Sequence, residues 1–368
     1  MSVRKATVSL TFRQVRSSLQ DNNVAAKRFR VGGCLKTTIL DIAKSAGVGT
    51  ATVERVLNGR GGVRPETVEK VLLAARKLHY RKTPPERHRG LLRIEVILVR
   101  PETTFFARLS HSFERIAASL DPSVSIHRTF VDEADPKAIA ERILKPGARR
   151  SGLILAVPQY AAVGVALRKV LAQGLPVLQV MTSMDGVGAA FVGIDNEAAG
   201  RTAAMLMSAM QPRTGTIVAL CHSDVYAVHR QRIRGFSQGI ERHGRGNLGF
   251  AEVLYTYDDA VEAAAQLAGA LRRYPDLVGL YNSGGANFAL CDVLRRHRGS
   301  RDVFFVGHEL TDRSTAALRD GTMHIVLDQA PEAQARRATD MMLSRLGIID
   351  TVIDNPPIRF VTVTPENI

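Results

Sequence analysis

Residues 37–60 read TTILDIAKSAGVGTATVERVLNGR, which is two short helical patterns separated by a single glycine. The apolar positions of the first pattern share one helical face: Ile39, Ile42, Ala43 and Ala46. The second pattern has its own apolar stripe: Val48, Val53, Val56 and Leu57. Gly47 lies between them and permits the left-handed backbone of a tight turn. This spacing predicts a helix-turn-helix, with the second helix beginning at Gly49 or Thr50.

A third amphipathic stretch, PETVEKVLLAARKL at residues 65–78, completes a small all-α domain over residues 36–80. Its apolar residues recur at helical spacing, and Pro65 suits a first helical position because the N–H it lacks has no partner there. The runs TILDIAKSAGVGTATVERVLNG and VRPETVEKVLLAARKLHY closely resemble the DNA-binding headpiece of the LacI/GalR family of bacterial transcription regulators.

The resemblance implies that the second helix enters the major groove of DNA. Thr50, Ala51 and Arg55 then match the base-reading positions of the family. The Arg55 guanidinium is able to pair with O6 and N7 of guanine. Thr50 and Ala51 are small, so they can contact a thymine methyl but supply little polar discrimination between bases. Glu54 replaces the usual serine; it either accepts from a cytosine amino group or is held off the phosphates by Arg55.

The resemblance also implies phosphate contacts, which orient the head without reading sequence. The matching positions are Lys36, Thr38, Asn58 and Arg64. The connector at residues 81–91 departs from the family, because Pro84 and Pro85 restrict helix formation and the usual leucine is missing. We expect a basic linker along the phosphates there.

The basic charge is concentrated at the start of the chain. Residues 1–35 carry +6, residues 36–90 carry +7 and residues 91–368 carry only +2 of the net +15. A basic head on a nearly neutral body indicates a polyanion-binding module joined to a body with a different role. A solvated basic face or an unstructured basic tail would give the same net charge. Residues 1–35 show no sustained period and are predicted to be a flexible tail.

The composition excludes several classes of protein. No apolar run is long enough to cross a bilayer, and no secretion signal is evident. The three cysteines are too few and too widely spaced for a disulfide framework or a zinc site. We therefore expect a cytoplasmic protein with no metal and no cofactor.

Residues 92–368 alternate short β-branched runs with amphipathic helical stretches, which predicts parallel sheets wrapped by helices. The number of units indicates two lobes. The resemblance implies a type I periplasmic-binding-protein-like body with three crossovers and a ligand in the cleft. The expected lobes are residues 92–210 with 327–346, and residues 211–325 with 350–368.

Ligands in such sheets lie beyond the carboxyl ends of the strands. After the first strand, Phe105 and Phe106 match a position where relatives stack an aromatic ring on a sugar, although both rings also suit the core. Asp195, in VGIDNEAAG, matches an aspartate that binds a ligand hydroxyl, and it equally suits a helix N-cap.

The second lobe supplies five further candidates by the same resemblance. Arg230, in HRQRIRGF, takes the position of the ligand arginine, with a surface or interlobe ion pair as the alternative. Asn282 both donates and accepts, as polyol recognition requires. Glu309 replaces the usual aspartate, and Asp328 and Gln329 match a polar contact at a crossover.

These residues and the family resemblance predict a DNA-binding regulator controlled by a sugar, polyol or sugar-acid effector and acting as a homodimer on a near-palindromic operator. The resemblance implies a repressor that effector releases, and it leaves open a regulator that binds DNA more tightly with effector. Two alternatives remain: a small-molecule binding module with only nonspecific DNA adhesion, and a sugar-processing enzyme. The chain lacks the serine-elbow, phosphate-loop and dinucleotide motifs, so we expect no catalytic residues and no enzyme activity.

Overall fold

A computed structural model describes residues 38–57, 62–78, 80, 91–223, 226–257, 259–297 and 303–368. The predicted tail at 1–35 and nearly all of the predicted linker lie outside the described residues, as do Lys36 and Asn58. The chain divides into two compact units, Met1–Arg89 and Gly90–Ile368, which are described separately below.

The first unit contains the predicted three helices: α1 (Ile39–Ala46), α2 (Thr50–Leu57) and α3 (Pro65–Lys77). Gly47 ends α1 with φ 65°, so the left-handed turn predicted at this glycine is confirmed. The core is built from Ile42, Val53 and Val71, all inaccessible to solvent. Burial of these aliphatic side chains holds the three short helices together, since helices of this length are marginal alone.

The first lobe of the second unit is a parallel five-stranded sheet in the order β2-β1-β3-β4-β5. Its strands are β1 (Leu92–Leu98), β2 (Val124–Phe130), β3 (Gly152–Ala156), β4 (Val177–Val180) and β5 (Ala190–Val192). The helices connecting them are α4 (Thr104–Ala117), α5 (Pro136–Leu144) and α6 (Ala161–Ala172).

The second lobe is a six-stranded sheet in the order β11-β10-β9-β8-β6-β7, in which β11 runs antiparallel to β10. Its strands are β6 (Gly215–Cys221), β7 (Leu248–Tyr255), β8 (Leu277–Asn282), β9 (Phe304–His308), β10 (Ile325–Asp328) and β11 (Val361–Val363). Its helices are α7 (Asn196–Met210), α8 (Ala227–His243), α9 (Ala260–Arg273), α10 (Asn287–Arg296) and α11 (Asp312–Arg319), with a 3-10 helix at Pro365–Asn367.

The two lobes exchange chain at three crossovers. The first joins β5 to α7, and the second joins β10 to α12 (Pro331–Arg345), which packs on α4 and β4 of the first lobe. The third brings the chain back to β11, passing Ile358, which pairs with Ile194 of the first crossover. The predicted fold class, a helical head and a two-lobe α/β body, is confirmed.

One predicted lobe boundary is wrong. We expected the first lobe to extend to residue 210, but α7 packs along α8 and also contacts β9, so it belongs to the second lobe. The glycine seam (Gly200, Gly235 and Gly239) brings the backbones of α7 and α8 together. A Cβ on Gly200 would lie 2.1 Å from the Arg232 carbonyl oxygen, and one on Gly235 would lie 2.2 Å from the Glu197 carbonyl oxygen. Only glycine allows this approach.

A buried carboxylate stabilises the first lobe. Glu95 lies inside β1, 2% exposed, and accepts hydrogen bonds from Arg150 at 2.6 Å, from Arg142 and from the Thr129 hydroxyl. Burial alone opposes ionisation, but these donors hold the pKa of Glu95 below its ordinary value. The charge is therefore retained in the core because two arginines accompany it.

No helix among the described residues is both long enough and apolar enough to cross a membrane.

Candidate functional site

A cavity of about 690 Å³ lies in the second unit and is bordered by both lobes. Its lining follows the carboxyl ends of strands from the two sheets, as the general rule for parallel sheets predicts. The main contributions are Thr103–Phe106 after β1, Met181 after β4, His222 after β6, Ser283–Asn287 after β8, His308 and Glu309 at the end of β9, and Gln329 after β10.

The two predicted phenylalanines both line this cavity. Phe105 and Phe106 occupy the first turn of α4, 7% and 5% exposed, with ring centroids 5.5 Å apart in an edge-to-face arrangement. The alternatives left open by the sequence, core packing and ligand contact, are therefore compatible. The pair gives the cavity an apolar wall of the kind that stacks against a sugar ring.

Glu309 and Gln329 also line the cavity and contact each other. The Gln329 side-chain amide donates to Oε1 of Glu309. Burial, and then the nearby Asp328 carboxylate, raises the pKa of Glu309 to about 7. Its backbone has φ 69°, a left-handed conformation that is unusual for a glutamate and that the surrounding loop must maintain. Glu309 is thus a group whose charge changes near neutral pH.

Of these two arginines of α8, Arg232 lines the cavity and Arg230 does not. Arg232 is 2% exposed and donates to the Asn196 side-chain oxygen and to the Ser283 carbonyl oxygen, at 2.9 Å each. Arg230 is exposed, contacts Gln159 at 3.3 Å and is absent from the residues that line the cavity.

The helical period of α8 distinguishes Arg232 from Arg230, and the sequence analysis did not apply it to this helix. Arg232 falls on the same face of α8 as Gly235, Phe236 and Gly239, and that face packs inward. Arg230 falls off it. The arginine of α8 that lines the cavity therefore lies two residues after the predicted one.

Three other predicted ligand residues, Asn282, Asp195 and Asp328, make hydrogen bonds within the protein. Asn282 is 1% exposed; it donates to the Gly285 carbonyl and to Asn287, and it accepts from the Gly284 N–H. It therefore shapes the glycine-rich loop that borders the cavity. Asp195 caps α7 by accepting from Ala198 N–H at 2.8 Å, and it borders a separate cavity of about 370 Å³.

Asp328, the third, is 5% exposed and does not line the main cavity. Its carboxylate accepts from the N–H groups of Leu310 and Ala330, at 2.9 and 2.8 Å, and from Arg108. These bonds occupy both oxygens and fix the loop after β9 to the start of the crossover. The prediction of a ligand contact at Asp328 thus has no support from its placement.

A second group of polar residues on the cavity wall joins the two lobes. Tyr226 donates to Glu133 at 2.7 Å, and His222 Nε2 lies 3.4 Å from the same carboxylate. Although burial opposes ionisation, the hydrogen bonds from His222 and Tyr226 hold the pKa of Glu133 below its ordinary value. Glu133 follows β2 in the first lobe, so this contact spans the lobes.

His308 is the other buried titratable group of the wall. It is 1% exposed, and its Nε2 lies 3.0 Å from the Tyr281 hydroxyl. Burial lowers the pKa of His308 well below its ordinary value, with Arg232 contributing in the same direction. The imidazole is therefore neutral at physiological pH and offers hydrogen bonds rather than charge.

In the first unit, α2 presents the predicted base-reading residues to solvent. Thr50, Ala51, Glu54 and Arg55 are all exposed, while Val53 and Val56 on the opposite face are buried. The helix is therefore anchored by its apolar face and free to enter a groove with the other. Which bases these side chains contact stays a prediction.

Two of the predicted phosphate contacts are described. Thr38 caps α1 in a reciprocal arrangement: its hydroxyl accepts from the Asp41 N–H, and its own N–H donates to the Asp41 carboxylate at 2.8 Å. Arg64 precedes α3, where its carbonyl oxygen accepts from Thr67 and Val68 while its side chain is exposed. Both lie at helix N-termini, where unpaired N–H groups favour an anion.

No group of three His, Cys, Asp or Glu side chains is placed to hold a metal ion in the part of the chain that the structure describes. Cys221 and Cys291 are buried cysteines, and burial raises the pKa of Cys291 to about 12.

A helix-turn-helix head followed by a two-lobe body with a cavity between its sheets defines a ligand-binding DNA regulator. Comparison with known families agrees. Residues 38–83 match the family described as bacterial regulatory proteins, lacI family, and residues 94–347 match the periplasmic binding protein domain. The chain therefore belongs to the LacI family of bacterial transcription regulators.

Among curated proteins, the HTH-type transcriptional regulator DegA of Bacillus subtilis (strain 168) is 24% identical over 352 residues, which is 83% of this chain and 98% of DegA. The sucrose operon repressor of Klebsiella pneumoniae is 30% identical over 228 residues, 57% of this chain and 62% of that one. These relatives are transcriptional regulators.

Among solved structures, an ABC transporter solute binding protein from Burkholderia graminis C4D1M in complex with D-arabinose aligns with a TM-score of 0.67 at 18% identity. The alignment covers 76% of this chain and 96% of that protein. The likeness shows the fold of the body.

Proposed function

We propose that this protein is a repressor whose affinity for operator DNA is set by a small polyhydroxylated effector bound in the 690 Å³ cavity. The observation that carries the proposal is the placement of Phe105, Phe106, Arg232 and Glu309 around one cavity that both lobes border. Because each lobe contributes part of the lining, an effector that contacts both stabilises one arrangement of the lobes over others.

The chemistry of the lining favours a sugar, a polyol or a sugar acid. The apolar wall of Phe105 and Phe106 suits the C–H face of a sugar ring, and Glu309 with Gln329 supplies acceptors for hydroxyl groups. Arg232 supplies donors for vicinal hydroxyls or a carboxylate. The Burkholderia graminis relative in fold holds D-arabinose, and the Klebsiella pneumoniae relative is a sucrose operon repressor, which supports this class.

The proposal also covers the location of the protein, its oligomeric state and the way it binds DNA. The protein acts in the cytoplasm as a homodimer, two heads read the two halves of a near-palindromic operator, and effector binding does no chemistry. The α2 face formed by Thr50, Ala51, Glu54 and Arg55 reads bases, with Arg55 on guanine. Lys36, Thr38, Asn58 and Arg64 hold the phosphates.

DNA recognition is tested by selecting a binding site from random duplexes with the full chain and then titrating the selected and scrambled duplexes at physiological salt. A specific regulator prefers its site by about a thousandfold or more. Arg55→Ala should reduce that preference by about tenfold or more, since one bidentate pair contributes about 1–3 kcal/mol of discrimination. Lys70→Ala removes the same charge from an exposed position of α3 and should leave the preference unchanged.

Effector recognition is tested by thermal shift of the purified chain against monosaccharides, disaccharides, polyols and aldonic or uronic acids. A ligand that binds the folded state raises the melting temperature by mass action. Arg232→Gln should abolish the shift, and Arg230→Gln, an exposed site two residues away, should retain it. A shift lost in the Arg230 variant and kept in the Arg232 variant would refute the assignment made from the structure.

A further inference from the structure

Arg108 reaches from the first lobe into the second and contacts three carboxylates. It lies on α4, and its Nη1 lies 2.5 Å from Oδ2 of Asp328 while its Nη2 lies 3.3 Å from Oδ1. The same guanidinium donates to Glu332, with two contacts of 2.9 Å, and lies 3.7 Å from Glu309. Such forked contacts fix orientation as well as distance.

The contacts of Arg108 join the cavity to a crossover. Asp328 ends β10 and also accepts from the Leu310 N–H in the loop that carries Glu309. Glu332 lies in the first turn of α12, just beyond the crossover, and Arg108 Nη1 also donates to the Leu310 carbonyl. One side chain of the first lobe thus holds the cavity loop and the crossover together.

The charges around Glu309 come from four elements. Asp328 and Gln329 face it from the end of β10, Arg108 from α4 and Arg232 from α8, while His308 precedes it on β9. Burial and then the Asp328 carboxylate favour the protonated form of Glu309, and the hydrogen bond from Gln329 opposes them, followed by the charges of Arg232 and Arg108. Of these two arginines, Arg108 belongs to the first lobe and Arg232 belongs to the second.

We propose that Arg108 is a positioning residue that holds Glu309 ionised and ties the two lobes through the same guanidinium, so that effector contact and lobe arrangement change together. A movement of α4 away from β10 removes a cation from two neighbouring carboxylates, and Glu309 then takes up a proton. By linkage, a ligand hydroxyl bound to ionised Glu309 favours the arrangement in which Arg108 is engaged. This inference rests on the proposed effector role of the cavity.

The test measures the distance between the lobes in the full chain by pulsed electron double resonance, with spin labels at Lys169→Cys on α6 and Arg319→Cys on α11, both exposed. Cys34→Ser removes one thiol, and a sample with this substitution alone checks that buried Cys221 and Cys291 stay unlabelled. Distances are recorded between about pH 5 and pH 9, across the range where a raised glutamate titrates.

We expect the short-distance population to rise with pH, with a midpoint near 7. Glu309→Gln should remove this pH dependence. Arg108→Gln should lengthen the distance and flatten its pH dependence, because the cation through which ionised Glu309 favours the engaged arrangement is then missing. Arg108→Lys keeps the charge without the fork and should restore the pH dependence more fully than the distance. Arg115→Gln, an exposed arginine of α4, is the matched control and should change neither.

Two results overturn the proposal: a distance that does not respond to pH in the labelled chain that keeps Arg108 and Glu309, or an Arg108→Gln variant that opens with an unchanged pH dependence. The second result makes Arg108 a structural brace alone. Circular dichroism verifies that each variant is folded. The readout uses neither operator nor effector, so its failure is distinct from failure of the DNA selection or the thermal-shift screen.

Discussion

Gly235→Ala tests the glycine seam between α7 and α8 and its effect on the cavity. The added Cβ would lie 2.2 Å from the Glu197 carbonyl oxygen, about 1.2 Å short of the 3.4 Å at which ordinary contacts begin. The nearest atoms all belong to the backbone of α7, so no side chain can rotate away. The helices must separate, and α8 carries Arg232 with it.

The expected cost follows from that geometry. Overpacking typically costs about 1–3 kcal/mol, and a backbone obstacle places this substitution toward the upper end. For a body of this size each kcal/mol lowers the melting temperature by about 2–4 °C, so we expect a decrease of about 4–12 °C. Displacement of Arg232 from Asn196 and Ser283 should also weaken effector binding more than it weakens DNA binding.

The assay is thermal unfolding monitored by circular dichroism, repeated with the ligand identified in the thermal-shift screen. Gly249→Ala is the control, because a Cβ at that glycine of β7 meets no atom within 4 Å. A melting temperature unchanged within about 1 °C for Gly235→Ala, which by the same scaling is under about 0.5 kcal/mol, would refute the close approach of the two helices.

Two further predictions concern the core of each unit. Glu95→Gln should lower the stability of the body by about 3–5 kcal/mol at neutral pH, because Arg142 and Arg150 lose their buried partner. Since folding lowers the pKa of Glu95, the contribution of its ionised form to the free energy of unfolding is present above the ordinary value of 4.5 and is lost as pH falls. Urea unfolding at several pH values should therefore show a smaller loss of stability at acid pH in the variant than in the unsubstituted protein. Ile42→Ala, at an inaccessible site of the head, should cost about 2–5 kcal/mol and abolish DNA binding while the effector-induced thermal shift of the body persists; Leu40→Ala, 54% exposed, should leave both intact.

Local pattern predicted most of the elements. Among the β-branched runs and amphipathic stretches of the body, VSIHRTF forms β2, LVGLYN forms β8 and residues 136–144 form α5, because their apolar periods and flanking turn residues favour these elements. The short β5 and the edge strand β7 were not singled out. β5 has three residues, and β7 alternates buried and exposed positions without a sustained aliphatic run.

The site was predicted less completely, for a physical reason. Phe105, Phe106, Glu309 and Gln329 line the cavity; they were named because they match ligand positions of the family, and each follows the end of a strand. The roles of Asp328 and Arg108 depend on a contact between residues 220 positions apart, which no local pattern records. The choice between Arg230 and Arg232 required the buried face of α8.

The interleaving of the lobes has a consequence for synthesis. The second sheet is completed by β11, at residues 361–363, and the first lobe receives α12 only after β10 has been made. The first lobe therefore lacks a part until residue 345 has been made and the second until residue 363, whereas α1, α2 and α3 are complete by residue 77. A nascent chain thus has its DNA-binding head some 280 residues before its second sheet is complete, and arrested or truncated products are expected to bind DNA without responding to effector.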